Sequence, residues 1–122
     1  MYDIFVKTHF SSGHYLRDYP GSCEHPHGHN WRVTVTVRAH ELDPIGMGID
    51  FKLLKTHVNQ VMDHIDHKNL NEMEEFSAIN PSSENIAQHI ATLLQKKIND
   101  PAIKVTRVAA WESDSACATY IV

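Results

Sequence analysis

Apolar and polar residues alternate along two stretches in the N-terminal third of the chain. In residues 30–38 every second position is apolar: Trp31, Val33, Val35 and Val37. Residues 2–12 alternate in a similar way, until Gly13 breaks the pattern just before His14. An alternation with a period of two is typical of a β-strand that buries one face. The pattern therefore predicts a strand in each stretch.

Two later segments carry the 3.6-residue periodicity of an amphipathic helix. The first follows Asp50, a favourable N-cap residue, and ends at Ile65. The second follows Ser82 or Ser83 as its N-cap residue and ends before residues 99–101. The apolar stripes are Phe51, Leu54, Val58, Val61, Met62 and Ile65 in the first, and Ile86, Ile90, Leu93, Leu94 and Ile98 in the second.

The remaining segments are assigned by weaker patterns. His57 and His64 lie on or beside the polar side of the first helix and are interpreted as surface residues. Residues 68–81 are predicted as an irregular connection, and loops of that length are more often functional than idle. Residues 103–112 and 116–122 are predicted as the last two strands.

The order of these elements predicts the fold class. It is strand, strand, helix, helix, strand, strand, within a single domain of residues 1–122. This order favours an α+β fold, an antiparallel four-stranded sheet with two helices on one face. The alternation slips near Thr106 and Arg107, which indicates a β-bulge. Long strands in so small a domain leave open edges, which another copy of the chain would cover.

Composition and charge exclude some classes of partner. Apolar residues make up 42% and charged residues 21% of the chain, and the formal net charge is −4. No basic run marks a nucleic-acid surface, and no apolar stretch approaches membrane-spanning length. Cys23 and Cys117 form no disulfide framework, so each is expected as a free thiol. We expect a cytoplasmic protein that binds neither nucleic acid nor membrane.

Residues 23–29, with the sequence CEHPHGH, carry the clearest candidate chemistry. If His27 and His29 belong to the second strand, both imidazoles point to one face, roughly 7 Å apart at the backbone. With His14 they would form a zinc site with three nitrogen ligands and one open position. The alternative is a closed structural zinc site in which Cys23 is the fourth ligand.

Two further positions are candidates for chemistry. His67 follows Asp66 directly, and a carboxylate beside an imidazole can orient the ring and raise its basicity. The alternative is that His67 has no catalytic role and only interacts favourably with the dipole at the C-terminus of the preceding helix. Glu112 follows three apolar residues near a strand end, where a carboxylate needs a partner unless it is solvated.

Several of these motifs occur together, in this order, in one known family. They are Gly13-His14, Cys23-x-x-x-His27-Gly28-His29, Ile65-Asp66-His67, Pro81-Ser82-Ser83-Glu84 and Glu112-Ser113. Over nearly its whole length the chain resembles the 6-pyruvoyltetrahydropterin synthase / 6-carboxytetrahydropterin synthase family. The resemblance implies the tunnelling fold, in which three sheets close into a twelve-stranded barrel and two trimers stack as a homohexamer.

The resemblance also implies roles for the candidate residues. It implies a Zn²⁺ ion at His14, His27 and His29 that acts as a Lewis acid. Cys23 would be a thiol base that works with Asp66 and His67 in active sites between subunits. Glu112 would anchor the pterin ring through its amino-pyrimidine nitrogens.

The implied substrate is a small-molecule pterin triphosphate, 7,8-dihydroneopterin triphosphate. Bacterial-type members convert it to 6-carboxy-5,6,7,8-tetrahydropterin, acetaldehyde and triphosphate on the route to queuosine. This reaction is the main prediction for the present chain. Glu24 matches a second family pattern, in which a glutamate replaces the cysteine and the product is 6-hydroxymethyl-dihydropterin for folate synthesis. Outside the family, a non-catalytic zinc-stabilised binding module and a zinc hydrolase stay open.

Overall fold

The computed structural model describes all residues from 1 to 122. It contains four strands and two α-helices in the predicted order: β1 (Tyr2–His14), β2 (His27–Ala39), α1 (Phe51–Ile65), α2 (Ser83–Lys97), β3 (Ile103–Ser113) and β4 (Ala116–Ile121). The strands form one antiparallel sheet with the order β1-β2-β3-β4. The predicted α+β fold is confirmed. No helix combines the length and the apolar character needed to cross a membrane.

The two helices begin at the predicted caps. The Asp50 side chain accepts a hydrogen bond of 2.8 Å from the backbone N–H of Lys52, and Ser82 Oγ accepts one of 3.2 Å from the N–H of Asn85. Such bonds satisfy donors that the first turn of a helix leaves unpaired. In α1 the buried residues begin at Leu54, and Phe51 is exposed, contrary to the predicted stripe.

The core lies between the helices and one face of the sheet. It is a single cluster of 24 buried apolar residues. Trp31 in β2 is fully buried, and its ring stacks on Phe10 of β1 with the centroids 5.0 Å apart. The same face, followed two residues at a time, carries Ser12 and His14 on β1. The residues of the candidate site therefore continue the core-facing rows of the sheet.

Strands β1 and β2 extend further toward the candidate site than predicted. Gly13 does not end β1, because it pairs directly with Gly28 of β2. On the other side of β1, the Gly13 N–H donates a hydrogen bond of 2.9 Å to the carbonyl oxygen of Lys68. The ladder continues one pair further, to His14 opposite His27. This extra length brings the histidines of two strands side by side.

The predicted bulge is present in β3. Thr36 of β2 pairs with Arg107, but the next residue, Val37, pairs with Val105, so Thr106 is the extra residue. Because a bulge shifts the side-chain alternation by one position, the inward row passes from Val105 to Val108. Two steps of two residues from Val108 lead to Glu112, which therefore shares the helix-covered face of the sheet.

The connection between α1 and α2 is more ordered than predicted. It contains two short 3₁₀ helices, Leu70–Glu72 and Glu74–Phe76. Leu70 and Phe76 are buried and belong to the core, which explains why this segment folds against the domain. Another 3₁₀ helix, Ser22–Glu24, lies in the loop between β1 and β2.

Candidate metal and catalytic site

Three histidines meet where the β1–β2 ladder ends. His14 and His27 are cross-strand partners, and His29 is two residues further along the same face of β2. The ring centroids are 4.5 Å apart for His14 and His27, 4.8 Å for His27 and His29, and 5.2 Å for His14 and His29. One donor atom from each histidine and one from Glu112 all lie within 4.8 Å of one another.

Backbone carbonyls orient two of the three rings. His14 Nδ1 lies 2.7 Å from the carbonyl oxygen of Pro81, and His27 Nδ1 lies 2.7 Å from that of His25. A carbonyl oxygen only accepts hydrogen bonds, so each Nδ1 carries the proton. The Nε2 atoms of both rings are then left with a free lone pair, as a metal ligand requires.

Burial lowers the pKa of two imidazoles of this site, those of His14 and His29. It is the main cause that lowers the pKa of His14, and the neighbouring rings of His27 and His29 act in the same direction. Burial also lowers the pKa of His29, against the opposing effect of the Glu112 carboxylate. The uncharged ring is the form that binds metals, so these shifts favour metal binding near neutral pH.

Glu112 reaches the histidines from the neighbouring strand β3. Its Oε1 atom lies 3.1 Å from His29 Nε2 and 3.3 Å from His14 Nε2. Neither contact has hydrogen-bond geometry, and both nitrogens are buried without a hydrogen-bond partner. About a third of the Glu112 side chain is exposed, so the carboxylate also faces the open side of the site.

Trp31 forms the apolar floor of the site. Its ring meets those of His14 and His29 edge to face, with centroid distances of 4.9 and 5.1 Å. Because Trp31 is wholly buried and stacked on Phe10, it gives these two imidazoles a rigid support.

Asp66 and His67 lie along the outer edge of β1. The Asp66 carboxylate accepts a hydrogen bond of 2.8 Å from the N–H of Ser11, and its other oxygen is 2.9 Å from His67 Nδ1. The Ser11 N–H is the main cause that lowers the pKa of Asp66, and the bond to His67 acts in the same direction. His67 has a positive φ of 54°, and its side chain is 83% exposed. The carboxylate thus orients a ring that points into solvent.

Cys23 and Glu24 lie in the 3₁₀ helix of the β1–β2 loop. The carbonyl oxygen of Cys23 accepts a hydrogen bond of 2.7 Å from the N–H of Leu16, which ties this helix to the chain just after β1. The Cys23 thiol is partly buried and free, and Glu24 is exposed. Cys23 is not among the four converging donor residues, and no hydrogen bond joins its thiol to Asp66 or His67 within one chain.

Comparisons with known proteins agree on one family. The family model described as 6-pyruvoyl tetrahydropterin synthase matches residues 3–121. The chain belongs to this family.

Curated relatives and a solved structure fit the same assignment. A 6-pyruvoyl tetrahydrobiopterin synthase of Homo sapiens is 35% identical over 105 residues, which cover 82% of this chain and 70% of the relative. A 6-carboxy-5,6,7,8-tetrahydropterin synthase of Bacillus subtilis is 32% identical over 111 residues, covering 88% and 75%. The structure of Caenorhabditis elegans 6-pyruvoyl tetrahydropterin synthase superimposes with a TM-score of 0.89 at 28% identity, covering 99% and 95% of the two chains.

The donor set of this 6-pyruvoyl tetrahydropterin synthase family member fits a divalent metal ion. Buried nitrogens without a partner are costly, and a cation between His14 and His29 would satisfy both of theirs. Three imidazoles and an adjoining carboxylate, two of the rings held by backbone carbonyls, form a set that suits zinc and similar metals.

Sequence reasoning missed three parts of the site. The alternation predicts Trp31 only as an apolar position of β2, although the same pattern places it two residues from His29 on the same face. The carbonyl groups of Pro81 and His25 left no signal, because any residue supplies a carbonyl and only the folded chain decides where it points.

Proposed function

We propose that this chain converts 7,8-dihydroneopterin triphosphate to 6-carboxy-5,6,7,8-tetrahydropterin, acetaldehyde and triphosphate with a bound zinc ion. The observation that supports the proposal most is the convergence of His14, His27 and His29, whose donor atoms lie within 4.8 Å. Membership of the family supports a pterin substrate, and relatives from Bacillus subtilis and Archaeoglobus fulgidus carry the name of this synthase, the second as a putative assignment.

The three histidines would hold the metal, and the carbonyls of Pro81 and His25 would keep the rings of His14 and His27 in the binding tautomer. Zinc, when bound, supplies Lewis-acid polarisation of the substrate's side-chain oxygens, which makes the neighbouring C–H more acidic. The apolar floor at Trp31 excludes water from one side of the site. A drier site strengthens every charge interaction within it.

Cys23 would remove the substrate proton as a thiolate, with Asp66 and His67 as its partners. Asp66 would keep the His67 ring oriented, as its 2.9 Å contact with Nδ1 indicates. Since no hydrogen bond joins the thiol to this pair within one chain, and His67 projects from an exposed edge, we propose that each active site combines two subunits. Two trimers forming a homohexamer, and a cytoplasmic location on the route to queuosine, belong to the same proposal.

Glu112 would bind the pterin ring. Its carboxylate accepts hydrogen bonds only, and an amino-pyrimidine offers a pair of N–H donors that suits it. In the free chain this carboxylate lies against His14 and His29, so the proposed pterin-binding residue is next to two of the proposed metal ligands. One substrate molecule could therefore bind Glu112 with its pterin ring and reach the metal site with its reacting side chain.

A second product is favoured by one specific feature, the carboxylate of Glu24 next to the Cys23 thiol. Both belong to the same 3₁₀ helix, but Glu24 is exposed where Cys23 is partly buried, so they approach a substrate from different directions. If Glu24 is a working base, 6-hydroxymethyl-dihydropterin would form instead of, or beside, the carboxy product.

The test is to incubate zinc-loaded protein with 7,8-dihydroneopterin triphosphate and to identify the pterins by mass spectrometry. We expect the 6-carboxy-tetrahydropterin together with acetaldehyde and triphosphate. A hydroxymethyl or a pyruvoyl product alone would show that the chain catalyses a different reaction of the family from the proposed one. No pterin product at all would refute the enzymatic proposal and leave the metal-stabilised binding module as the better account.

A further inference from the structure

A second group of metal-ligating side chains lies apart from the first and includes none of its residues. His64 in the last turn of α1, Glu75 in the 3₁₀ helix Glu74–Phe76 and His89 in α2 bring one donor atom each within 4.8 Å of one another. Three separate elements, both helices and the connection between them, therefore converge on one point. His64, which the sequence suggested to be a plain surface residue, is part of this convergence.

The distances around Glu75 are close to those of a metal site. Its Oε2 atom lies 2.7 Å from His64 Nε2, with which it forms a hydrogen bond, and 3.3 Å from His89 Nε2. Donor atoms at about 2.0–2.1 Å from a tetrahedral zinc ion lie roughly 3.3 Å from one another. The His89 contact has this spacing. At His64 an ion would replace the hydrogen bond to Glu75, and the two atoms would move apart by about half an ångström.

The two histidines of this cluster differ in solvent exposure. His89 Nε2 is buried and has no hydrogen-bond partner, because its contact with Glu75 lacks hydrogen-bond geometry. The ring is held in place edge to face against the buried Phe76, with the centroids 5.4 Å apart. About half of the His64 side chain is exposed, which leaves that ring free to adjust and gives an ion a path from solvent.

We propose that His64, Glu75 and His89 form a second site for a divalent transition-metal ion, with zinc as the representative cation. Two imidazoles and one carboxylate are a known zinc donor set, and the exposed side leaves a fourth position for water. The ion would satisfy the buried His89 nitrogen, which the protein alone leaves without a partner.

The site would clamp the connection between the helices. That connection begins with Asp66 and His67, two and three residues after His64, and it ends at Pro81, whose carbonyl oxygen orients His14. A metal bridging α1, the connection and α2 would tether the segment near its middle. We therefore assign the ion a structural role, independent of which reaction the first site performs.

Metal counting in the full-length protein tests the proposal. We expect about two zinc ions per wild-type chain after loading and removal of loose metal, and about one in the His27→Ala/His29→Ala double variant. Glu75→Gln should remove the ion that the double variant still holds. Glu74→Gln is the matched control, because this exposed neighbour lies on the same 3₁₀ helix outside the cluster.

A second set of measurements tests the proposal without the double variant, in case that variant folds poorly. Glu75→Gln alone should lower the zinc content of the otherwise wild-type chain by about one ion, and Glu74→Gln should not. Co²⁺ should give a ligand-field absorption that is weaker in Glu75→Gln than in wild type by the contribution of one four- or five-coordinate ion, and zinc should raise the melting temperature less in Glu75→Gln than in wild type. Zinc content unaffected by Glu75→Gln, or a double variant that folds and binds none, would show a metal-free hydrogen-bonded cluster and overturn the proposal. Because the first site is removed or counted separately, loss of pterin activity does not affect this outcome.

Discussion

His14 Nδ1 and the carbonyl oxygen of Pro81 lie 2.7 Å apart, although 67 positions separate the two residues in sequence. The contact joins the end of β1 to the residue before the N-cap of α2. It turns the other ring nitrogen of His14 toward His27, His29 and Glu112. The start of a helix thereby sets the tautomer of a candidate metal ligand on a strand.

The first prediction concerns the metal. Each of the substitutions His27→Ala and His29→Ala should remove most of the zinc affinity of the site at His14, His27 and His29, and with it the activity, because two ligands do not hold the ion as three do. Cys23→Ala should keep the metal, since its thiol is outside the converging donor group. Elemental analysis of the purified variants measures both effects. A Cys23→Ala protein that holds about one zinc ion less than wild type would support the closed structural site instead.

The second prediction concerns the choice of product. Cys23→Ala should abolish 6-carboxy-tetrahydropterin formation, because it removes the proposed base. Glu24→Gln should leave that product nearly unchanged and should selectively remove any 6-hydroxymethyl-dihydropterin. Glu24 is exposed and its side chain makes no hydrogen bond, so the glutamine is expected to fold normally. Mass spectrometry of the products with equal metal loading distinguishes the two bases, and loss of the carboxy product in Glu24→Gln would contradict the assignment to Cys23.

The third prediction concerns assembly. Strands β1 and β4 are the outer strands of the sheet, and large apolar side chains such as Phe5 and Ile121 are exposed on them. The edge of β1 is covered by residues 66–68 only from Ser11 onward. Open strand edges pair readily with other strands, so we expect a hexamer in which sheets of neighbouring subunits are continuous. Sedimentation velocity at micromolar concentration measures the mass. A stable monomer would refute the assembly and the shared active site with it.

The fourth prediction concerns Asp66 and pH. The hydrogen bond from Ser11 and the contact with His67 hold the pKa of Asp66 below its ordinary value, about 3.9 for an aspartate in an unfolded chain. A lowered pKa in the folded state means that the stabilisation is present above about pH 4 and is lost as pH falls through the folded value. Asp66→Ala should therefore lower the free energy of unfolding by about 1–2 kcal/mol at neutral pH, and by less near pH 3.

Urea unfolding of wild type and variant at both pH values measures this difference. Asp63→Ala is the matched control, because Asp63 is an exposed aspartate of α1 with no hydrogen bond to the β1 edge. A difference between Asp66→Ala and wild type that is the same at both pH values would mean that the charge of Asp66 contributes nothing to stability.

Much of the architecture followed from local patterns. The alternation of residues 30–38, the cap at Asp50 and the slip near Thr106 predicted a strand, a helix start and a bulge that the structure confirms. These features are readable because strand and helix periods, and the capping of free N–H groups, are properties of neighbouring residues. The spacing of His27 and His29 likewise placed both rings on one face of β2 before any fold was known.

Two contacts between residues of different elements were decided by the tertiary structure. The bulge at Thr106 shifts Glu112 onto the face of His14 and His29, and its carboxylate lies 3.1 Å from the latter ring. The grouping of His64, Glu75 and His89 has no sequence signature either, since its members come from three elements. Local periodicity determines which way a side chain points from its own element, whereas the packing of helices and connection onto one sheet face determines what it meets there.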